Sequence, residues 1–198
     1  MQRLAQCSGW IFDLDGTLTR PVHDFDRIRQ ALGIPAAEDI LGYIEAQPAG
    51  VQCTMRTQLD EWEHFYASQA QAAEGARELT ALLAEQGVAL GILTRNTREV
   101  AIRSLTAIGI AGYFEEEAIL GRDEARPKPD AHGIEVLLNQ WDISPERSVM
   151  VGDFKYDLEA GKGAGSATVH VDAGDRHWPE LTDIRVSSLA ELIGIFRP

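Results

Sequence analysis

Cysteine is scarce in this 198-residue sequence, which contains only Cys7 and Cys53. Two cysteines cannot build a disulfide framework, and by themselves they cannot complete a four-ligand zinc site. The sequence also lacks any run of roughly 18 apolar residues, and its amino terminus, MQRLAQCSGW, lacks the apolar centre of a signal peptide. We therefore expect a cytoplasmic protein with reduced thiols and no membrane association.

Positive charge is scarce as well. The chain has 18 Lys and Arg residues against 31 Asp and Glu residues, so its formal net charge is −13 at pH 7. The average field of such a chain repels a phosphate backbone, which argues against nucleic-acid binding. A small anionic substrate would need local positive charge from a divalent cation, a helix N-terminus or a few placed side chains. Only three lysines are present, Lys128, Lys155 and Lys162, so each one is informative.

Short apolar runs that alternate with helical patterns are abundant. The runs predict strands at Ser8–Leu14, Val88–Leu93, Tyr113–Leu120, Ser148–Gly152 and Ala167–Val171. Helices are predicted at Glu74–Gln86, Pro129–Trp141, Asp157–Ala164 and Leu189–Phe196. A further helix is predicted to begin with a capping box formed by Asn96 and Glu99 and to end at Gly109. This alternation is typical of an α/β fold, in which helices cover both faces of a parallel sheet.

One stretch, residues 19–73, interrupts the alternation. It has no convincing strand, but its apolar residues recur at helical spacing: Phe25, Ile28 and Leu32, then Ile40, Leu41 and Ile44, then Met55, Leu59, Trp62 and Tyr66. Stripes of this kind are typical of packing surfaces, so we predict two or three amphipathic helices. We call residues 19–73 the helical insert and assign residues 1–18 and 74–198 to the core domain.

The first polar motif, Asp13-Leu14-Asp15-Gly16-Thr17, lies at the end of the first predicted strand. In a regular strand Asp13 and Asp15 share one face, and at the carboxyl end of a parallel strand they overhang the crevice where such sheets bind ligands. Gly16 lets the chain turn away at once. Two carboxylates this close repel each other, and a bound cation relieves the repulsion. The plainer alternative is a surface turn, which the apolar residues before Asp13 disfavour.

Thr94 and Lys128 form the second and third motifs. Thr94 lies between the second predicted strand and the next helix, where its hydroxyl and the free backbone N–H groups suit a phosphate. A threonine there is by itself most often a local cap. Lys128 stands between Pro127 and Pro129 on a stiff, extended backbone, which aims its ammonium group with little entropy to lose. A lone lysine more often belongs to a solvated loop, but in a chain with three we favour a functional role.

The fourth motif is G-D-F-K-Y-D at residues 152–157. Asp153 follows an apolar strand as Asp13 does. If a helix begins here, Asp157 lies one turn beyond Asp153 on the same face. Asp13, Asp15 and Asp153 would then supply the hard oxygen ligands that Mg²⁺ prefers, and Asp157 could hold a metal-bound water.

In this order the four motifs resemble those of the haloacid dehalogenase superfamily of phosphohydrolases, over residues 10–172. D-L-D-G-T is similar to its first motif, Thr94 to its second and Lys128 to its third. G-D-x-x-x-D, with the trailing L-E-A-G-x-x-A-G, is similar to its fourth. The resemblance implies a Rossmann-like core, with the helical insert as a small α-helical cap of the phosphoglycolate phosphatase-like type. The insert looks shorter than most such caps, and Phe154 stands where many relatives have a small polar residue.

The resemblance also implies a reaction. Asp13 would attack phosphorus and form an aspartyl-phosphate, and Asp15 would protonate the leaving oxygen and then activate water. Mg²⁺, Lys128, Thr94 and backbone N–H groups would neutralise the phosphoryl charge. The expected activity is Mg²⁺-dependent hydrolysis of a small phosphorylated metabolite by a monomer or dimer. Dehalogenases of the family attack carbon and lack this second acid, so Asp15 favours phosphate esters as substrates. Phosphonate-cleaving relatives form a Schiff base with a cap lysine, and no lysine precedes Lys128 in this chain.

Alternatives to hydrolysis stay open. A phosphomutase of the same superfamily would return the phosphoryl group to a sugar, but it needs a cap that excludes water well. A relative that binds phosphate without turnover is a second alternative. Candidate substrate contacts are Arg95 and Asn96, which adjoin Thr94, and Arg20 and Arg56 in the helical insert. For each arginine the plainer alternative is a solvated surface residue.

Overall fold

The computed structural model describes residues 4–22 and 24–196. Its strands are β1 (Gly9–Phe12), β2 (Ala89–Leu93), β3 (Ile119–Leu120), β4 (Ser148–Gly152), β5 (Ala167–Val171) and β6 (Ile184–Val186). Its α-helices are α1 (Phe25–Leu32), α2 (Ile40–Glu45), α3 (Ala49–Ala67), α4 (Ala76–Glu85), α5 (Arg98–Ala107), α6 (His132–Trp141), α7 (Lys155–Ala164) and α8 (Ala190–Ile193). In this part of the chain no helix is both long and apolar enough to cross a membrane.

The six strands form one parallel sheet in the order β3-β2-β1-β4-β5-β6. Phe12, at the end of β1, lies opposite Ile92 of β2 and Val151 of β4. The carboxyl ends of these three central strands therefore meet at one edge of the sheet, which is where open α/β sheets bind ligands. The predicted α/β class, with a Rossmann-like sheet, is confirmed.

Both faces of the sheet are covered by apolar side chains. Trp10 and Phe12 of β1 belong to a large cluster with side chains of α4 and α5, and Ile11 belongs to a second cluster with side chains of α6. Successive side chains of a strand point to opposite faces, so a strand buried on both faces reads as a continuous apolar run. This burial holds the strand ends, and the polar residues that follow them, in fixed positions.

The helical insert has three helices, α1, α2 and α3, and a hydrophobic cluster of its own. The cluster contains buried residues of the three apolar stripes together with Ile34: Ile28, Leu32, Ile34, Ile44, Met55, Leu59 and Tyr66. The two ends of the insert lie side by side, since the Arg20 N–H donates to the Gln71 carbonyl at 2.8 Å and the Ala73 N–H to the Leu18 carbonyl at 2.9 Å. This pairing supports domain boundaries near residues 18 and 74, which remain a proposal.

The structure corrects several predicted strand boundaries. β1 ends at Phe12 rather than Leu14, because the chain leaves the extended conformation after Phe12. The predicted strand Tyr113–Leu120 is reduced to β3, since 3₁₀ turns occupy Ala111–Tyr113 and Glu116–Ala118. β6 is missing from the prediction, because only one of its three residues is buried and no apolar run marks it.

Helix starts are also corrected. The N-cap of α5 is Thr97, whose hydroxyl accepts a hydrogen bond from the Val100 N–H at 3.3 Å, so the predicted capping box at Asn96 is wrong. The Asn96 amide instead donates to Asp15. α6 begins at His132 rather than Pro129, α7 begins at Lys155 rather than Asp157, and α8 is shorter than Leu189–Phe196.

Candidate active site

The carboxyl ends of β1, β2 and β4 open into a cavity of about 430 Å³ between the sheet and the helical insert. Asp13 follows β1, Thr94 follows β2 and Asp153 follows β4, and all three line this cavity. Lys128 joins them from the loop before α6. The four motifs are distant along the chain, and they meet here because β1 lies between β2 and β4 in the sheet.

Lys128 is the buried centre of the polar end of the cavity. Its side chain is only 2% exposed, and its Nζ lies 2.5 Å from Asp13 Oδ1 and 2.7 Å from Asp157 Oδ1. Burial alone lowers the pKa of Lys128, but the two adjoining carboxylates outweigh burial, so its pKa lies above the ordinary value. The second Asp13 oxygen accepts a hydrogen bond from the Thr17 hydroxyl at 3.2 Å. These contacts orient Asp13 and keep Lys128 charged.

Three carboxylates crowd this end of the cavity. One oxygen each of Asp13, Asp153 and Asp157 lies within 4.8 Å of the others. Burial raises the pKa of Asp153 to about 7, the charges of Asp13 and Asp157 add to the effect, and Arg176 opposes it. Burial likewise raises the pKa of Asp157 to about 6 against the charge of Lys128. A divalent cation would relieve this repulsion, and oxygen donors are the ligands that Mg²⁺ prefers.

Asp15 has different partners from the other acids. Its Oδ2 accepts a hydrogen bond from the Asn96 amide at 2.5 Å, and its Oδ1 accepts one from the Thr19 hydroxyl at 3.4 Å. Among the residues that the structure describes, the carboxylate group that could hold a metal contains Asp13, Asp153 and Asp157 but not Asp15. The side chain of Asp15 therefore lies in the cavity beside this group, and Asn96 in the loop after β2 holds it by a hydrogen bond.

Gly16 allows the loop after β1 to approach the loop after β4. Its φ is +90°, and a Cβ at this position would lie 2.7 Å from Asp153 Oδ2. Any other residue would be strained there and would collide with the carboxylate. The predicted turn at Gly16 is thus required by the distance between the first and fourth motifs.

The loop after β2 carries Thr94, Arg95 and Asn96. Thr94 is buried, and its hydroxyl accepts a hydrogen bond from the Asn96 N–H at 3.2 Å. The Arg95 guanidinium lies 5.1 Å above the Tyr156 ring and donates from Nη2 to Asp39 of the helical insert at 2.7 Å. Arg95 therefore reaches from the sheet end of the cavity to the insert.

The two other predicted substrate contacts are placed elsewhere. Arg20 and Arg56 are exposed, and neither lines the cavity. Arg20 lies at the entry to the insert, and Arg56 lies on the exposed side of α3. The structure therefore brings Arg95 and Asn96, but not these two arginines, to the site.

Sequence reasoning missed Arg176 and Glu63, which line the cavity. Arg176 donates to Asp153 at 3.2 Å and to Asp172 at 3.0 Å. It follows β5 at the same carboxyl edge as the motifs, and that position is a usable signal. Phe154 packs edge-on against Tyr156 and Trp178, with ring centroids 5.1 and 5.6 Å apart. Phe154, already noted in the fourth motif, thus adds an aromatic wall to the cavity.

The helical insert supplies an apolar wall opposite the acids. Its apolar lining residues are Phe25, Ile28, Ala37, Ile40, Leu41 and Leu59, and its charged lining residues are Arg29, Glu38, Asp39 and Glu63. One acidic side chain of this wall, Glu63, is also buried, and burial raises its pKa to about 7 although the charge of Arg122 opposes the shift. The cavity therefore has a charged end on the sheet and an end on the insert where apolar lining residues outnumber charged ones by six to four.

This arrangement of strand ends, acids and lysine defines an α/β enzyme of the phosphate-hydrolysing class, with the helical insert lining the same cavity. The model of the haloacid dehalogenase-like hydrolase family matches residues 10–171, and the chain belongs to this family. The membership predicted from the four motifs is confirmed. The chain is an enzyme of the phosphatase type within this family.

Individual relatives agree with this placement. The chain is 32% identical over 196 residues to a haloacid dehalogenase-like hydrolase domain-containing protein of Arabidopsis thaliana, with 91% of this chain and 76% of the relative covered. It is 28% identical to the pyrophosphatase PpaX of Listeria welshimeri, with 94% and 95% covered. A predicted phosphoglycolate phosphatase from Haemophilus somnus has a similar fold, with a TM-score of 0.76, 20% identity and coverage of 97% and 99%.

Proposed function

We propose that the chain is a Mg²⁺-dependent phosphomonoesterase that acts on a small phosphorylated metabolite through an aspartyl-phosphate on Asp13. The observation that carries this proposal is the grouping of Asp13, Asp153 and Asp157 around buried Lys128 in one cavity. Phosphoryl transfer depends mainly on positioning and charge neutralisation, and this grouping supplies both.

Asp13 is the nucleophile in this proposal. Lys128 and Thr17 hold its carboxylate from two sides, which fixes the direction of attack on phosphorus. The bond between phosphorus and the ester oxygen breaks as the bond to the Asp13 oxygen forms, and water later releases inorganic phosphate. Lys128 and Thr94 neutralise and orient the equatorial phosphoryl oxygens.

Asp15 is the proton-transfer residue. It gives a proton to the leaving oxygen in the first step and takes one from the attacking water in the second. Asn96 and Thr19 hold its carboxylate in a fixed position. This carboxylate lines the same cavity as Asp13, so it can reach the oxygen that leaves phosphorus.

The site residues fit a magnesium ion. Asp13 and Asp153 would ligate it, because both are oxygen donors with a third carboxylate nearby. When bound, Mg²⁺ would supply charge neutralisation to the phosphoryl group. The prediction from the first motif that Asp15 is a further ligand stays part of this proposal, with its side chain beside rather than within this carboxylate group.

Asp157 has a different part in this proposal. Both of its oxygens already accept hydrogen bonds, Oδ1 from Lys128 Nζ at 2.7 Å and Oδ2 from the Phe154 N–H at 3.0 Å. Its side chain is only 3% exposed, whereas those of Asp13 and Asp153 are 12% and 16% exposed, so we assign Asp157 to hold a metal-bound water rather than to ligate the ion directly.

The test of this proposal is release of inorganic phosphate from 4-nitrophenyl phosphate. Activity should require Mg²⁺, and Ca²⁺ should substitute poorly because its larger and looser coordination shell misplaces the phosphate. Full activity in excess chelator would overturn the metal requirement. Transfer of phosphate to a sugar without phosphate release would instead favour the phosphomutase.

Arg95 is the proposed contact to an anionic group on the leaving side of the substrate. It lines the cavity, and its buried Nε has no hydrogen-bond partner among the described residues. Its Nη2 is held by Asp39, so a substrate carboxylate would meet an oriented guanidinium, the geometry that favours paired hydrogen bonds.

The test compares 2-phosphoglycolate with ethyl phosphate, which lacks the carboxylate. Arg95→Ala should lower kcat/KM for 2-phosphoglycolate about 10- to 100-fold, the loss of one charged hydrogen bond, and leave ethyl phosphate nearly unchanged. Arg103→Ala, on the exposed side of α5, is the control and should change neither. Equal loss on both substrates would place Arg95 in the phosphate site. Arg20→Ala and Arg56→Ala in the same assay test the two arginines predicted from sequence.

A cytoplasmic location and a monomeric or dimeric state complete the proposal. Cys7 is buried in the core and Cys53 is exposed on α3 of the insert, and the two do not form a disulfide with each other. Thiols that stay reduced fit a reducing compartment.

A further inference from the structure

Arg122 joins the helical insert to the core through a buried ion cluster. The side chains of Arg122 and Glu63 are each 6% exposed. Nη1 of Arg122 lies 2.8 and 2.9 Å from the two Glu63 oxygens, and Nη2 lies 2.5 Å from Asp60 Oδ1. Both acids lie on α3, whereas Arg122 lies in the core just after β3.

Arg122 also holds the loop after β2. Its N–H donates to the Asn96 carbonyl at 3.0 Å, and Nη1 donates to the Arg95 carbonyl at 3.1 Å. Gly121 makes this approach possible, since a Cβ there would lie 2.6 Å from the Asn96 carbonyl oxygen. One residue therefore contacts α3 and two successive carbonyls of the loop that bears Thr94.

The loop in turn holds Asp15. The Asn96 amide donates to Asp15 Oδ2 at 2.5 Å. A continuous set of hydrogen bonds thus runs from α3 through Arg122 and Asn96 to the carboxylate that transfers the proton.

A gain in net stability is a weak explanation for this cluster. A buried ion pair contributes little net stability, because the loss of hydration offsets the attraction between the charges. The raised pKa of Glu63 reflects that loss, since burial outweighs the charge of Arg122. A positioning role explains why these charges lie where they do.

We propose that Arg122 is a positioning residue that, when the insert is docked through Asp60 and Glu63, fixes Asn96 and thereby orients Asp15 for proton transfer. This inference rests on the proposed phosphatase function. It has a distinctive consequence, because proton transfer is needed most when the leaving group is a poor one.

The experiment uses two substrates of similar shape, 4-nitrophenyl phosphate and phenyl phosphate. The nitrophenolate leaves readily without a proton, whereas phenolate needs one much more. Arg122→Met should lower kcat/KM for phenyl phosphate about 10- to 100-fold and that for 4-nitrophenyl phosphate less than about 3-fold, the range expected for partial loss of general acid catalysis. Asn96→Ala should show the same dependence on the leaving group.

Two further variants keep the test decisive. Arg122→Met combined with Glu63→Met removes both buried charges, so it avoids an unpaired carboxylate and should fold even if the single variant does not. It should show the same selective loss. Arg98→Met is the matched control, because Arg98 donates to the Ile119 carbonyl at 2.8 Å and pairs with Glu124, both in the core. It should show no dependence on the leaving group.

The outcomes are separable. Equal loss on both substrates in the double variant, or no loss on either, would overturn the positioning role while leaving the phosphatase function intact. A wild-type protein that hydrolyses neither substrate would overturn the phosphatase function itself.

Discussion

At the sheet end of the cavity, Asp13, Lys128 and Asp157 have side chains no more than 12% exposed and contacts of 2.5 and 2.7 Å. At the insert end, Phe25 is 51% exposed and its neighbours in the lining are mostly aliphatic. The first end is charged and is formed by residues that follow the strands. The second end has more apolar than charged residues and is formed by helices with a separate hydrophobic cluster. Under the proposed function, we expect chemistry common to all substrates at the first end and choice among leaving groups at the second.

The largest expected effect is at the sheet end. Asp13→Asn should reduce turnover below detection for every substrate, because the amide is not a nucleophile for phosphorus. Lys128 keeps Asp157 as a partner, so the fold should survive, as thermal unfolding would show. Substantial turnover by this variant would remove Asp13 from the nucleophile position.

Asp15→Asn should have the next largest effect. Loss of proton transfer is expected to lower kcat about 10²- to 10⁴-fold. Aspartyl-phosphate formation from 4-nitrophenyl phosphate should be affected less than its hydrolysis, because the nitrophenolate needs little protonation. A rapid-quench measurement of both steps checks this expectation, and equal slowing of both steps would contradict it.

A smaller, substrate-dependent effect is expected at the insert end. Phe25→Ala should raise KM for phenyl phosphate several-fold, up to about tenfold, since apolar contact with the leaving group is lost. KM for methyl phosphate should not change. Phe65→Ala is a matched control, because Phe65 is also about half exposed, at 50%, but does not line the cavity. A similar change in KM for both substrates would contradict recognition of the leaving group by apolar contacts at this end.

The last expected effect is on stability rather than on turnover, and it concerns Glu63. The pKa of Glu63 is about 7 in the folded protein against an ordinary 4.5, so the stability that it contributes is present below pH 4.5 and is lost as pH rises through 7. Glu63→Gln does not titrate, so it should gain stability relative to wild type over this range, by at most roughly 3 kcal/mol. Urea midpoints at several pH values measure the difference. Glu61→Gln, at an exposed position, should show no such trend. A stability difference between Glu63→Gln and wild type that does not vary with pH would refute the raised pKa of Glu63.

The difference between the sheet end and the insert end of the cavity also determines how much of each can be predicted from the amino-acid sequence. Asp13, Thr94 and Asp153 each follow a strand that is buried on both faces, and a continuous apolar run marks such strands in the sequence. Their convergence follows from the parallel order of the strands. The fold class and the motif residues are therefore predictable from residue patterns alone.

The contacts of the insert cannot be predicted in this way. Arg122 and Glu63 are 59 residues apart, and no local pattern marks their pairing. The spacing of Asn96 to Glu99 fits a helix cap, but a tertiary contact with Asp15 takes the Asn96 side chain and Thr97 becomes the cap. Tertiary structure determines which of several possible partners a polar side chain binds, whereas an apolar run is visible in the local sequence.

The paired ends of the helical insert have a consequence for how such enzymes diversify. The chain leaves the core at Leu18 and returns to it at Ala73, and these two residues are adjacent. A different segment could therefore be attached here if its two ends lay about one strand spacing apart, roughly 5 Å. Lengthening or exchanging that segment leaves the strand order and the acids of the sheet end untouched. The fold is modular in this respect, so one continuous piece of chain can be replaced while the strand order of the sheet is kept.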